Sequence, residues 1–278
     1  MKGLIKQRML PVFICVLLFT VSCDKEDEPE EYQPGLYPNM LVITEDALYN
    51  GLKDKLAVYQ NDNKLNDTVF PFILRWNTGT VEALRDTLKD YYNKHLISGA
   101  LLVGDLPAAW YEMDGFSENE QFPCDMFLTD PLATWSDADQ DGIYDYHSTL
   151  ELKLYIGRID GSESELKAYF DKIHTYRTGG AGLPAEAYLF LDDDWQEMYQ
   201  TEHFNTDEIY DDLDICIDLN ESTKTAYLNK LTSAGAEYVH QMIHSYPASL
   251  VFYHLGDPEY LTTDEVRDYN LKAHFCNM

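Results

Sequence analysis

The sequence predicts an α/β fold built as two units in series, each a parallel sheet flanked by helices. Three observations carry this. Short apolar runs of strand length alternate with longer stretches of helical period. The segment Thr178-Gly179-Gly180-Ala181-Gly182-Leu183-Pro184 interrupts both periods, with three glycines and a proline in seven residues. The alternation then restarts on its far side.

The elements follow in chain order. Met40–Thr44 (MLVIT) is a buried strand, and Glu45–Tyr59 is helical. Val69–Leu74 is a second strand. Thr78-Gly79-Thr80 opens a helix that carries Val81, Leu84, Leu88, Tyr91 and Tyr92 on one face. Ala100–Val103 is a short apolar run ending in Gly104-Asp105, the form of a central parallel strand before a turn. Leu152–Ile156 is predicted as the next strand, closed by Gly157-Arg158. Ser162 and Glu165 form a capping box for a helix through about Tyr176. Beyond the linker, strands are predicted at Tyr188–Leu191, Asp214–Leu219, Tyr238–Ile243 and Leu250–Tyr253. Helices are predicted at Thr223–Ser233 and Thr263–Asp268, and a last strand starts at Lys272 and runs to Met278.

The charge excludes some functions. The 278 residues hold 49 acids against 20 Lys plus Arg, for a net charge of -29. Binding nucleic acid needs clustered cations, so a nucleic-acid partner is not expected. The hydrophobic fraction of 45% is ample for folded cores. No G-x-S-x-G elbow, P-loop or G-x-G-x-x-G occurs, which removes the usual hydrolase, nucleotide-triphosphatase and dinucleotide readings.

Residues 1–22 have the order of an export signal: Lys2, Lys6 and Arg8, then an apolar run from Met9 to Thr20. Thr20-Val21-Ser22-Cys23 has the form of a bacterial lipobox, with Cys23 as the lipidated residue. Residues 23–37, opening Asp24-Lys25-Glu26-Asp27-Glu28-Pro29-Glu30-Glu31, form an acidic tether with no capacity to fold. An acylated N-terminus would anchor the protein at the outer membrane or cell surface of a Gram-negative bacterium. With Cys15 in the leader and Cys23 lipidated, Cys124, Cys216 and Cys276 remain. They show no C-x-x-C spacing.

Asp137-Ala138-Asp139-Gln140-Asp141-Gly142-Ile143-Tyr144-Asp145 is the sharpest local motif. Hard divalent cations take six to eight oxygen ligands, and alternate aspartates on a tight loop supply them. The expected ligands are the carboxylates of Asp137, Asp139, Asp141 and Asp145 with the backbone carbonyl of Ile143. Ser148 stands where an EF-hand has its bidentate Glu, so the loop is similar to an EF-hand loop without being one. A structural Ca2+ is the expected cofactor.

Of eight histidines, His240-Gln241-Met242-Ile243-His244 has the spacing of a helical zinc motif, but Gln241 replaces the general-base Glu and the context is that of a strand. A different placement is more informative. In caspase-like cysteine peptidases, His sits on the loop after one parallel strand and the nucleophilic Cys follows the next. His244 follows the strand Tyr238–Ile243, and the next core strand is the one that begins at Lys272.

Leu101-Leu102-Val103-Gly104-Asp105, the Asp137–Asp145 loop, and Ile156-Gly157-Arg158-Ile159 with its following helix resemble the gingipain family over about residues 38–278. Its members are secreted cysteine peptidases with two caspase-like α/β subdomains in tandem. The resemblance implies a non-catalytic first subdomain at 38–178, a linker at 179–184, and the start of the catalytic subdomain at 185–278. The family histidine sits in a Gly-His-Gly setting. Here Ile243-His244-Ser245 takes that place with both glycines replaced, and Tyr253-His254-Leu255-Gly256 is the rival alignment. The family cysteine ends the next core strand and is followed by a glycine-containing turn. Cys276 has only Asn277 and Met278 after it. Either Cys276 is a degenerate nucleophile or the true position lies beyond Met278; as a core residue it would be an inert buried thiol.

The expected fold is therefore two tandem caspase-like parallel or mixed sheets with flanking helices, the second incomplete. The expected function is a surface-anchored cysteine endopeptidase or peptidase-like protein acting on proteins or peptides. The alternative is a non-catalytic surface lipoprotein that binds glycans or peptides.

Overall fold

The computed structural model describes residues 39–67, 69–115, 118–180, 182–200 and 206–277. The leader, Cys23 and the acidic tether lie outside the described residues. The chain runs β1 (Asn39–Glu45), α1 (Asp46–Asp62), a π-helical turn at Asn63–Asp67, β2 (Phe70–Trp76), α2 (Val81–His95) and β3 (Ile97–Val103). Then come β4 (Trp110–Met113), β5 (Glu120–Pro123), α3 (Met126–Thr129), β6 (Trp135–Ser136), β7 (Tyr146–His147), β8 (Tyr155–Ile159) and α4 (Glu163–Arg177). The second half holds β9 (Glu186–Leu191), 3-10 turns at Asp193–Gln200 and Thr206–Glu208, β10 (Asp212–Cys216), α5 (Lys224–Ser233) and β11 (Ala236–Met242). It ends with β12 (His244–Tyr246), β13 (Ser249–His254), β14 (Asp257–Thr262), α6 (Thr263–Asp268) and β15 (Ala273–Asn277). The protein is a mixed α/β structure with two parallel sheets flanked by helices. No helix among the described residues is long and apolar enough to cross a membrane.

The described chain divides into two compact units. One is formed by the described residues of Met1–Ile43, Thr68–Leu102 and Leu106–Arg158; the other by Thr44–Asp67, Val103–Asp105 and those of Ile159–Met278. The helices α1 and α4 both group with the second unit, so the division does not follow a single cut at the glycine-rich segment.

The first unit is built on a sheet of order β2-β1-β3-β8. Thr80 caps α2, its side chain accepting from Ala83 N–H, and Leu96 ends the helix in the left-handed region at φ 51°. Val81, Leu84 and Leu88, one helical face, are buried with Leu41, Ile43, Ala100 and Leu102 from the sheet. The strand predicted at Leu152–Ile156 begins later, at Tyr155. The backbone donors before it are committed elsewhere. Glu151 N–H bonds the Asp130 carboxylate at 2.9 Å, and Lys153 and Leu154 N–H both bond Thr129 O. Leu152 is left 77% exposed.

The second unit is built on the sheet β10-β9-β11-β15, parallel throughout. Strand alternation gives each face its own core. Tyr188, Phe190 and Val239 pack with Tyr227, Leu228 and Leu231 of α5. Ala187, Leu189 and Leu191 pack on the other face with Tyr210, Tyr238 and Met242. β10 lies slightly earlier than its predicted span, because Asp218 takes the chain into a turn: Ser222 N–H bonds its carbonyl and Asn220 N–H its carboxylate, both at 2.8 Å. The run Leu250–Tyr253 is a strand, but of a separate antiparallel sheet of order β12-β13-β14. Leu255 and Gly256 both have positive φ, 53° and 91°. That two-residue turn folds β14 back on β13.

Within this unit α1 and α4 pack side by side. Tyr59 meets Phe170 edge-on at 5.5 Å, Lys55 pairs with Asp171 at 2.5 Å, and Asp62 lies 2.8 Å from His174 Nδ1. The predicted capping box is present: Ser162 Oγ accepts from Glu165 N–H, and the Glu165 carboxylate accepts from Ser162 N–H. Ser162→Ala removes one acceptor from an otherwise bare helix end and is expected to lower unfolding free energy by about 1 kcal/mol. Ser162→Asp should recover most of that, both read from urea denaturation midpoints.

Candidate functional site

Parallel sheets gather ligands at the carboxyl ends of their strands. In the second unit that edge is occupied by Asp192-Asp193-Asp194-Trp195, directly after β9. An acidic run after a strand reads alike as a cleft wall and as a solvated turn. Each aspartate has a separate task. Asp192 is fully buried; its Oδ2 accepts from Tyr253 N–H at 2.7 Å, while its own N–H donates to Met242 O at 3.0 Å. Asp193 Oδ2 accepts from Leu255 N–H at 2.6 Å. Asp194 Oδ2 lies 3.0 Å from His244 Nε2. The loop after β9 thus holds the end of β11, the β13–β14 hairpin and the candidate histidine together.

His244 opens β12 immediately after β11 and is partly exposed. Trp195 lies 5.3 Å from its ring and Tyr253 meets it edge-on at 5.5 Å. With a proton on Nε2 donated to Asp194, Nδ1 is the ring's acceptor, so the pair can hold an imidazole in one tautomer for proton transfer. Asp194 is 50 residues from His244 in sequence, and only the fold reveals it as the partner. The acidic run after a predicted strand was the available clue. His254 ends β13, with Nδ1 buried and without a hydrogen-bond partner among the described residues.

Cys276 lies on β15, next to β11, and pairs in register with Val239. His244 is five residues beyond Val239, which at strand rise is roughly 16 Å along the sheet. The structure does not bring the two side chains to one level. Cys276 is exposed rather than a core residue, yet partial desolvation by its surroundings pushes the thiol above its ordinary pKa, opposite to the shift of an activated nucleophile. Cys216 ends β10 and burial raises its pKa also; Cys124 lies between β5 and α3. None of the three forms a disulfide.

The acidic loop belongs to the first unit and spans the paired strands β6 and β7. Asp137 accepts from Gln140 N–H at 2.6 Å and Gly142 N–H at 2.9 Å, Asp141 from Ile143 N–H, and Asp145 from Ala138 N–H. These donors, led by Gly142, hold the Asp137 carboxyl below its ordinary pKa. Gln140 and Gly142 take positive φ, 65° and 96°, which closes the turn. Carboxylate oxygens of Asp137, Asp139 and Asp141 come within 4.8 Å of one another. A second group at the same limit is Asp139, Asp145 and Glu112. Glu112 comes from β4, brought in because Glu112 N–H bonds Tyr144 O at 2.8 Å. Sequence reading missed it, since it lies well before the loop. The donors are all oxygens and suit a hard divalent cation by chemistry.

Comparison with known proteins finds no match for this chain, whether among protein-family models, curated proteins or solved structures.

Burial is the main cause that pushes the Asp192 carboxyl up to about 6. The folded state therefore holds a proton that the unfolded chain, near pH 4, has already released. The stability tied to that proton is fully present below about pH 4 and is lost as pH rises through about 6. Asp192→Asn keeps an acceptor for Tyr253 N–H but cannot ionise. It should match wild type in Tm near pH 4 and exceed it at pH 7.5, read from thermal melts across pH.

Proposed function

We propose that this chain is a surface-anchored, gingipain-like peptidase-type protein, with His244 as its functional imidazole and Asp194 as the residue that orients it. The observation that carries the reading is the 3.0 Å His244–Asp194 contact at the carboxyl end of a parallel strand. This is where a caspase-like architecture needs its base, and two tandem caspase-like subdomains are the fold this reading assigns. Cys276 has a structural role in it, given its register and its raised pKa. Export and lipidation at Cys23 rest on the sequence alone, on the leader's charge, apolar run and Ser22-Cys23 junction. The second reading, a non-catalytic surface lipoprotein that binds glycans or peptides, is favoured by the separation of Cys276 from His244.

Peptide-library digestion with and without a thiol alkylator separates the two. Under the peptidase-type reading His244→Ala removes cleavage and Asp194→Asn reduces it about tenfold or more, and cleavage that resists both the alkylator and Cys276→Ser requires a nucleophile other than Cys276. Cleavage that survives His244→Ala defeats the assignment of His244. Loss of cleavage in Cys276→Ser at unchanged stability returns the nucleophile role to Cys276. Complete inactivity in wild type leaves the binding reading.

The same proposal includes a structural Ca2+ in the first unit, held by Asp137, Asp139, Asp141 and Asp145 with the carbonyl of Ile143, and by Glu112. The support is that the carboxylates fall into two groups of three that share Asp139, one completed by Asp137 and Asp141 and the other by Asp145 and Glu112. Calorimetric titration of wild type with Ca2+ should give saturable heat and a raised Tm. Asp139→Ala and Asp141→Ala should abolish both, and Glu112→Gln should weaken them. No heat and no melting shift in wild type would remove the claim.

A further inference from the structure

A cavity of about 280 Å3 opens within the second unit, away from His244. One face of α4 forms its main wall. Tyr169, Lys172, Tyr176 and Arg177 recur there at helical spacing. Tyr59 of α1 and His274 with Phe275 of β15 complete it.

Three features of this wall call for a ligand of defined chemistry. The first is aromatic surface. Tyr169 is 42% exposed and Phe275 47%, both large rings left facing solvent at the cavity. Phe275 is held in place by the edge-on contact of Tyr176 at 5.3 Å. The second is positive charge. In a chain with more than two acids per base, Lys172 and Arg177 stand at one cavity. Among the described residues Lys172 donates to the Ala273 carbonyl at 3.1 Å and makes no ion pair. The Arg177 guanidinium lies over the Tyr59 ring, 5.2 Å from its centroid. The third is His274. Both of its ring nitrogens are buried without a hydrogen-bond partner among the described residues. Buried polar atoms in folded proteins are paired as a rule. Burial, then the charge of Lys172, lowers its pKa, so the neutral ring offers one donor and one acceptor.

A neutral imidazole that both gives and takes a hydrogen bond matches a hydroxyl. Aromatic rings match the apolar C–H face of a sugar ring, and an unpaired ammonium matches a carboxylate. We propose that this cavity binds an acidic monosaccharide, with its ring face on Tyr169 and Phe275, its carboxylate at Lys172 and Arg177, and a ring hydroxyl that His274 meets by turning its enclosed ring toward the cavity. This gives the binding reading above its site and its ligand class, and it is independent of His244.

The test is titration of the full chain with glucuronic acid, using glucose as the uncharged counterpart, followed by calorimetry and by tyrosine fluorescence. Glucuronic acid should saturate and glucose should bind at least about fivefold more weakly, the loss of a charge-assisted contact. Lys172→Gln changes an exposed side chain and should weaken glucuronic acid by a similar factor. Tyr169→Ala should do so for both sugars, and His244→Ala should leave both unchanged. Equal affinity for the two sugars, no saturation by either, or an undiminished affinity in Lys172→Gln each overturns the proposal. Loss of binding in His244→Ala places the sugar at the other site and overturns it as well.

Discussion

The burial of one carboxylate organises the second unit. Asp192 sits at the end of the central strand pair, where β9 and β11 both run out of partners. It is fully enclosed, and a carboxylate can be enclosed only if its oxygens are given donors or its charge is neutralised. Tyr253 supplies a backbone N–H, and the proton held up to about pH 6 supplies the rest. The consequence is mechanical. Because Asp192 must face inward to meet β13, Asp193 and Asp194 are turned toward the hairpin tip and toward His244. The position of the imidazole is thus a by-product of satisfying a buried acid 52 residues earlier in the chain.

Cations are scarce in this chain, and several are used to tie distant segments together. Arg158 bonds the Asp125 carboxylate and the Leu106 carbonyl together. Lys230 is shared between Glu186 and Asp214, tying α5 to two neighbouring strands. Lys224 pairs with Glu265 at 2.8 Å and also bonds the Tyr260 carbonyl. Such partly buried pairs hold elements in register, and breaking one leaves its partner without a counter-charge. Lys172, like Arg85 and Lys272, instead donates to backbone carbonyls and pairs with no carboxylate among the described residues.

Local structure was largely legible in the sequence because local physics determines it. The helices around Thr80, Ser162, Thr223 and Thr262 all begin at side chains that cap them. The strands MLVIT and ALLV are buried as their apolar runs require. What the sequence did not disclose is pairing at a distance. An apolar run such as Leu250–Tyr253 reads alike whether its neighbour is parallel or antiparallel, and only the turn at Leu255-Gly256 decides it. Leu152 lost its place in a strand to hydrogen bonds from a helix end more than twenty residues earlier. Glu112 joins the acidic loop because a single backbone bond brings β4 beside Tyr144. The candidate histidine was found by its position after a strand; its carboxylate partner, chosen from three adjacent aspartates, required the fold.

The three aspartates after β9 also bear on how this protein can change over time. They are chemically identical and adjacent, yet one is a buried anchor, one grips a hairpin and one faces an imidazole. Substitutions would be felt one task at a time. Losing a single residue from the run is different: the string would still read as acidic, and an alignment would charge it almost nothing. Every carboxylate would nevertheless inherit its neighbour's post. Drift by insertion and deletion should therefore be tolerated at the glycine-rich segment before β9 and purged immediately after it.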